Sequence, residues 1–260
     1  MTQVLVTRPE QDAASWVTSL QNAGFETIQF PLLNLKPILA PRDTEAVLAK
    51  IQSSQAVMFV SANAVRFLAQ SLHTRPEWVD QFNQGTRAWC TGPGTAAALM
   101  SCGIDIRQID QPFADAKQLD SEALWQVVQD QVSQTFQVLF IKGADEHGVI
   151  AGRDWLANQL ESAGVQVDAL AAYQRQASHL SADQIQQVNQ WIDQKAIWVF
   201  SSSACLQALV DQCKHVDWSN AKAVVTHPRI AALAQQLGWR HTTITPPGMQ
   251  AMLASIKSMA

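Results

Sequence analysis

The chain has 260 residues, 47% of them hydrophobic and 15% charged, with a net charge of −4. At ~150 residues per domain this is one large domain or two small ones, too apolar and too weakly charged to be disordered. The lack of any Lys/Arg run argues against a general nucleic-acid binder, and no apolar run approaches the ~20 residues that span a bilayer.

The first element predicted is a strand near residues 3–7. The chain enters it directly and shows no signal-peptide layout, so a cytoplasmic protein is expected. Pro9 suits the first position of the helix that follows, in which Ala13, Trp16, Val17 and Leu20 share a face. Pro31-Leu-Leu-Asn-Leu-Lys-Pro37 then reads as an extended connector, because proline disfavours helix at and before its own position. A strand near 56–60 precedes a helix carrying Val65, Leu68, Ala69 and Leu72 on one face. Further strands are predicted near 87–91 and 137–141. A second extended connector runs from Ala171 through Tyr173 to Gln176. Ser181-Ala-Asp-Gln184 has capping-box spacing ahead of Ile185, Val188 and Ile192. The last predicted strands lie near 196–200 and 222–226, with a helix bearing Leu206, Leu209, Val210 and Cys213 between them. Short, continuously apolar strands of this kind belong to a parallel sheet covered on both faces, so the fold class is α/β.

The chain also repeats itself. Val4-Leu-Val-Thr-Arg8 resembles Val138-Leu-Phe-Ile-Lys142, and Leu20 to Gly24 resembles Leu160 to Gly164. Phe59-Val-Ser61 resembles Phe200-Ser-Ser202, and Thr91-Gly-Pro93 resembles Thr226-His-Pro228. The order is the same in both halves, so two similar units are expected. Two equivalent connectors permit either tandem copies or an interleaved pair, in which each leading segment packs with the other copy's trailing strands. Periodicity does not choose between them.

Open α/β sheets bind ligands outside the carboxyl ends of their strands. The loops expected there are Thr7-Arg8-Pro9, Ser61-Ala62-Asn63 and Gly92-Pro93-Gly94-Thr95. Their repeat partners are Lys142-Gly143, Ser201-Ser202-Ser203 and His227-Pro228-Arg229. Each is expected to precede a helix, whose first N–H groups and partial positive charge suit carboxylates or phosphates. Any one loop is explained as well by an ordinary capped turn; six at matched positions favour a shared anionic ligand.

Gly92-Pro-Gly94-Thr-Ala-Ala97 is a poor dinucleotide fingerprint, since Pro93 interrupts the turn and no acidic residue follows at the required spacing. No P-loop, GxSxG elbow or HExxH occurs. Cys90, Cys102, Cys205 and Cys213 show no CxxC and read as buried thiols in a reducing compartment. Asp145-Glu146-His147 reads as a solvated loop, because adjacent residues rarely converge on one metal ion. Neither a metal nor an organic cofactor is expected. Tyr173 is the only tyrosine, against nine tryptophans. It reads either as a boundary residue with a buried ring and a wet hydroxyl, or as a hydroxyl placed in an interdomain cleft.

Taken in order, several segments resemble the uroporphyrinogen-III synthase family. They are Val4 to Pro9, Phe59 to Val65, Gly92 to Ala96, Gly152-Arg153 with Leu156 to Gly164, Ala172-Tyr173-Gln-Arg175 and Phe200 to Ser203. The resemblance implies two similar flavodoxin-like parallel-sheet domains, interleaved and joined by a two-stranded connector. One domain would hold residues 1–35 plus 172–260 and the other 36–171, with hinge connectors near 31–38 and 170–177. It implies cyclisation of hydroxymethylbilane, a linear tetrapyrrole with eight carboxylates, to uroporphyrinogen III. Water is lost and the last pyrrole ring is inverted through a spiro intermediate.

By the family's pattern Tyr173 is the catalytic residue, hydrogen-bonded to the departing hydroxyl. Ser61, Ala62, Asn63, Gly94, Thr95, Gly143, Ser201, Ser202 and Ser203 would bind substrate, with Arg8, Lys142 and Arg153 as cations. The last loop departs from a GPTTA-like turn and reads Thr226-His-Pro-Arg-Ile230, so Arg229 is expected to replace a threonine as an anion contact. A monomer is expected, with no nucleic-acid or membrane partner and transient contact with the enzyme that supplies hydroxymethylbilane. Two other readings remain: a two-lobed binding protein for a small anionic ligand without catalysis, and a flavodoxin-like redox module.

Overall fold

Fully buried apolar runs become strands because neither face meets water. The computed structural model describes residues 2–113, 115–116, 118–150, 155–246 and 248–260. It opens with strand β1 (Gln3–Val6), whose Val4, Leu5 and Val6 are wholly buried. Helix α1 (Glu10–Asn22) follows, with Pro9 as its N-cap, one position ahead of the expected place. Glu10 and Asp12 lie in its first turn, where negative charge suits the helix dipole. Strands β2 (Glu26–Gln29) and β3 (Leu33–Pro37) complete this stretch.

The central stretch alternates helices and strands. In order these are α2 (Thr44–Ser53), β4 (Ala56–Phe59), α3 (Ala62–Ser71), α4 (Glu77–Asn83), β5 (Arg87–Cys90) and α5 (Pro93–Ser101). Then come β6 (Ile109–Asp110), α6 (Ser121–Val128), β7 (Gln137–Ala144), α7 (Trp155–Ser162) and the 12-residue β8 (Gln166–Ala177). The turns after α1 and α7 both use a glycine in the left-handed region, Gly24 at φ 88° and Gly164 at φ 82°, a conformation other residues adopt at a cost.

The last stretch holds α8 (Ala182–Asp193), β9 (Ile197–Phe200), α9 (Ser203–Gln212), β10 (Lys222–Val225), α10 (Pro228–Gln236), β11 (His241–Ile244) and α11 (Met249–Met259). The capping box ahead of α8 forms as expected. Ser181 Oγ accepts from Gln184 N–H at 3.2 Å, and Gln184 Oε1 accepts from Ser181 N–H at 2.9 Å.

Two compact units result, Met1–Leu35 with Gln176–Ala260, and Lys36–Arg175. The first unit's sheet has the order β11-β10-β9-β1-β2 and the second sheet has β3-β8-β7-β4-β5-β6. The pairs β1–β2, β1–β9, β9–β10, β10–β11, β4–β5, β4–β7, β5–β6 and β7–β8 are parallel. The copies interleave: β1 of the leading segment pairs with β9, and β7 pairs with β4. Matching strands of the repeat therefore occupy matching places in the two sheets.

In the first unit Phe30, Trp191, Trp198, Phe200, Trp218 and Trp239 form an aromatic core on one face of the sheet. On the other face Val4, Val6, Ile197, Val199 and Val224 pack with Met252 and Ile256 of α11. In the second unit Trp89, Val138 and Phe140 pack against Leu124, Leu156 and Leu160. All four cysteines are free thiols; Cys102 is only half-buried, because α5 ends there. Among the described residues no helix is long and apolar enough to cross a membrane, and no His/Cys/Asp/Glu group is placed to hold a metal.

Candidate active site

In the second unit the carboxyl ends of neighbouring strands β7, β4 and β5 carry the polar residues. Ser61 follows β4 and caps α3, its Oγ accepting from Ala64 N–H at 3.2 Å. The hydroxyl serves a second neighbour as well, since Tyr173 Oη lies 3.2 Å from the same Oγ. Ala62 and Asn63 form the first turn of α3, where Asn63 Oδ1 accepts from Arg66 Nη1 at 2.7 Å.

Tyr173 projects from β8 and is only 5% exposed. Its ring stacks on Phe67 of α3, centroids 5.3 Å apart and planes at 22°. Ser61 meets Tyr173 through its hydroxyl and Gly143 lies against the phenol ring, so three of the residues expected at the site come together. Phe67 was not among them. It lies beside the Val65/Leu68 stripe rather than on it, and a large apolar residue flanking a helix's core face was the available signal.

Lys142 and Gly143 differ from expectation. They do not form a turn ahead of a helix; both lie inside β7, and Lys142 is 5% exposed. The strand continues because its partner β8 also continues, whereas the repeat counterpart β1 stops at Val6 beside the four-residue β2. Lys142 Nζ lies 5.3 Å from the centroid of Phe140. Arg175, also absent from the expected set, donates from Nη2 to Gly143 O at 3.3 Å.

Gly94 and Thr95 lie in the first turn of α5, as expected. Thr95 is 8% exposed, and its N–H donates to Gly92 O at 3.0 Å. That N–H is therefore committed within the turn. Gly94 differs: a β-carbon there would have nothing within 4 Å, so the space beside it is open. Asp145-Glu146-His147 forms an exposed loop in which Asp145 Oδ1 accepts from the N–H groups of His147 and Val149. Arg153 lies outside the described residues.

The first unit repeats the arrangement at the ends of β1, β9 and β10. Thr7, fully buried, donates from Oγ1 to Val199 O at 2.7 Å and ties β1 to β9. Arg8 follows, with its guanidinium carbon 4.6 Å from the Trp16 ring centroid, where the negative face of the ring attracts the cation. Ser201 precedes α9, Ser202 caps it by accepting from Ala204 N–H at 3.2 Å, and Ser203 begins it. His227 caps α10 through Nδ1, which accepts from Arg229 N–H at 3.1 Å, leaving the Arg229 side chain exposed.

These features define a doubly wound α/β protein of two units, with capped helix starts at the strand ends and one buried phenol among them. Residues 14–254 match the family described as uroporphyrinogen-III synthase HemD. The chain is 26% identical over 246 residues to the uroporphyrinogen-III synthase of Escherichia coli (strain K12), covering 91% of this chain and 92% of that one. It is 30% identical over 151 residues to that of Chlorobaculum parvum, a match spanning 58% of this chain and 56% of the relative's length. Its fold resembles uroporphyrinogen-III synthetase from Helicobacter pylori 26695, with a TM-score of 0.64, 16% identity and full coverage of both chains. It also resembles a mutant uroporphyrinogen III synthase of Thermus thermophilus, with a TM-score of 0.62, 14% identity and coverage of 100% and 98%. The chain belongs to the uroporphyrinogen-III synthase family and is an enzyme of tetrapyrrole biosynthesis.

Proposed function

We propose that this chain cyclises hydroxymethylbilane to uroporphyrinogen III, with Tyr173 as the catalytic residue and the two compact units as its domains. The carrying observation is the phenol of Tyr173, fixed by Ser61 at the end of β4 and by Phe67. The substrate's terminal pyrrole is electron-rich and expels its own hydroxyl group, so no strong protein nucleophile is required. Tyr173 O–H donates a hydrogen bond to the departing hydroxyl, which takes up the proton given up by the pyrrole N–H and leaves as water, the ring becoming a neutral azafulvene. A hydrogen bond that strengthens as charge develops on that oxygen lowers the barrier. The remaining work is holding a flexible chain so that the last ring attacks through the spiro geometry, a positioning effect.

Carboxylates of the substrate are held by helix starts and a few cations. In the second unit these are Ser61, Ala62 and Asn63, Gly94, Thr95 through its hydroxyl because its N–H is committed to Gly92 O, and Lys142. In the first they are Arg8, Ser201, Ser202 and Ser203, and Arg229. N-terminal turns bind anions through N–H groups and the helix dipole, which suits a chain of net charge −4. The protein works as a cytoplasmic monomer and receives its unstable substrate in transient contact with the enzyme that makes it. Incubation with freshly generated hydroxymethylbilane, then isomer analysis of the oxidised porphyrins, tests the activity. An excess of the type III isomer over the type I formed spontaneously is expected; a mixture identical to the protein-free control sinks it.

A further inference from the structure

We infer that Gly143 is a positioning residue for Tyr173, acting with an irregularity between β7 and β8; this rests on the function proposed above. The two strands run in step from Gln137 opposite Gln166 to Lys142 opposite Ala171. The register then shifts and Gly143 stands opposite Tyr173, leaving Ala172 unmatched. A bulge of this kind re-aims the side chains that follow it, and one residue of slip is enough to turn a side chain to the other face.

Gly143 supplies the room. A β-carbon there would lie 2.5 Å from Tyr173 Cζ, 2.6 Å from Cε2 and 2.9 Å from Oη. The phenol thus occupies the space that any other residue's side chain would fill. The backbone does not itself require glycine, because Gly143 is absent from the positive-φ residues. Gly92 and Gly94 make the contrast, with nothing within 4 Å of either. Arg175 Nη2 holds the Gly143 carbonyl at 3.3 Å, and Phe67 and Ser61 fix the ring and the hydroxyl. A hydroxyl displaced by ~1 Å can lose much of its effect on the rate, up to ~10²-fold.

Tyr173 is the only tyrosine, so biosynthetic replacement by 3-fluorotyrosine places a single fluorine probe at this site. In Gly143→Ala the ¹⁹F resonance should move by more than its linewidth. Turnover should fall roughly tenfold, close to the loss from removing the hydroxyl, with KM changed less than about twofold. In a Tyr173→Phe background the same substitution should cost little more, because residues acting through one group are not additive. An unmoved resonance, or the full loss persisting in Tyr173→Phe, overturns the assignment. If Gly143→Ala does not fold, adding Tyr173→Ala should restore folding, because the phenol ring is what the new methyl meets; a double variant that still fails to fold overturns the assignment. Should the chain yield no type III isomer, the function fails alone, and the fluorine shift still decides whether Gly143 sets the phenol.

Discussion

β1 and β7 are repeat counterparts with matching neighbours, yet they end differently. β1 has four residues and stops at Val6, after which Arg8 lies against Trp16. β7 has eight, runs through Lys142 and Gly143 to Ala144, and is followed along its length by the 12-residue β8. The aromatic residues divide in the same way. The first unit packs four tryptophans with Phe30 and Phe200 under its sheet, whereas the second sets Phe67 against Tyr173 beside the strand ends. The same topology thus serves a dense core in one unit and an oriented hydroxyl in the other. Extending one strand pair past the repeat's shared length is what makes the difference.

The largest effect expected from breaking this contrast is on the first unit's core. Trp198 touches Phe30, Trp191, Phe200, Trp218 and Trp239, so Trp198→Ala should lower unfolding free energy by about 3–5 kcal/mol. Urea denaturation followed by far-UV circular dichroism measures it; a loss under ~1 kcal/mol would show that the cluster is not the unit's main support. In the second unit Tyr173→Phe removes only a hydroxyl. It should reduce turnover roughly tenfold, on a scale where ~1.4 kcal/mol is tenfold, and leave the urea midpoint nearly unchanged. Activity within about twofold of wild type would reduce Tyr173 to a packing residue.

The two capping serines sharpen the comparison further. Ser61→Ala and Ser202→Ala each remove an N-cap and should each cost ~1 kcal/mol of stability. Ser61→Ala should also lower turnover more than Ser202→Ala does, because Ser61 Oγ lies 3.2 Å from the phenol oxygen whereas Ser202 Oγ accepts from Ala204 N–H. Equal turnover in the two variants would separate the cap from the chemistry. Arg8→Ala should then raise KM only a few-fold, as expected of a partly exposed ion contact worth ~0–1 kcal/mol. A hundredfold rise with the fold intact would make Arg8 the main anchor instead.

The smallest effect is invisible at neutral pH. Burial pushes the Cys90 thiol up to about 11 from an ordinary value near 9, whereas the repeat counterpart at the end of β10 is Val225. The native state resists ionisation that the unfolded chain allows. The stabilising difference is therefore complete below pH 9 and lost progressively as pH rises through 9 to 11. Urea midpoints of wild type and Cys90→Val across that range should diverge, with Cys90→Val the flatter; parallel curves would mean that the thiol is not desolvated.

Much of this protein is determined by local sequence. The apolar runs at β1, β4, β5, β7, β9 and β10 specify central strands, because burial on both faces needs no polar alternation. The box at Ser181 and Gln184 and the caps at Ser61 and Ser202 follow from side-chain reach over two or three residues. The half-exposed edge strands β2 and β11 were not legible, since an edge strand needs little apolar character and carries little signal.

Strand partnership was decided only in three dimensions. Apolar periodicity marks a face to be buried but does not name what buries it, so it leaves tandem and interleaved copies open; the family resemblance implies the interleaved form, and the physical pairing is visible in Thr7 bonded to Val199, 192 residues away. The site divides along the same line. Tyr173 and Ser61 could be picked out by type and position in the sequence. Phe67 carried only the weak signal of a large apolar residue beside a helix's core face; Arg175 and the role of Gly143 depend on a register shift between two strands, and register is a property of a pair, which neither strand's own residues encode alone.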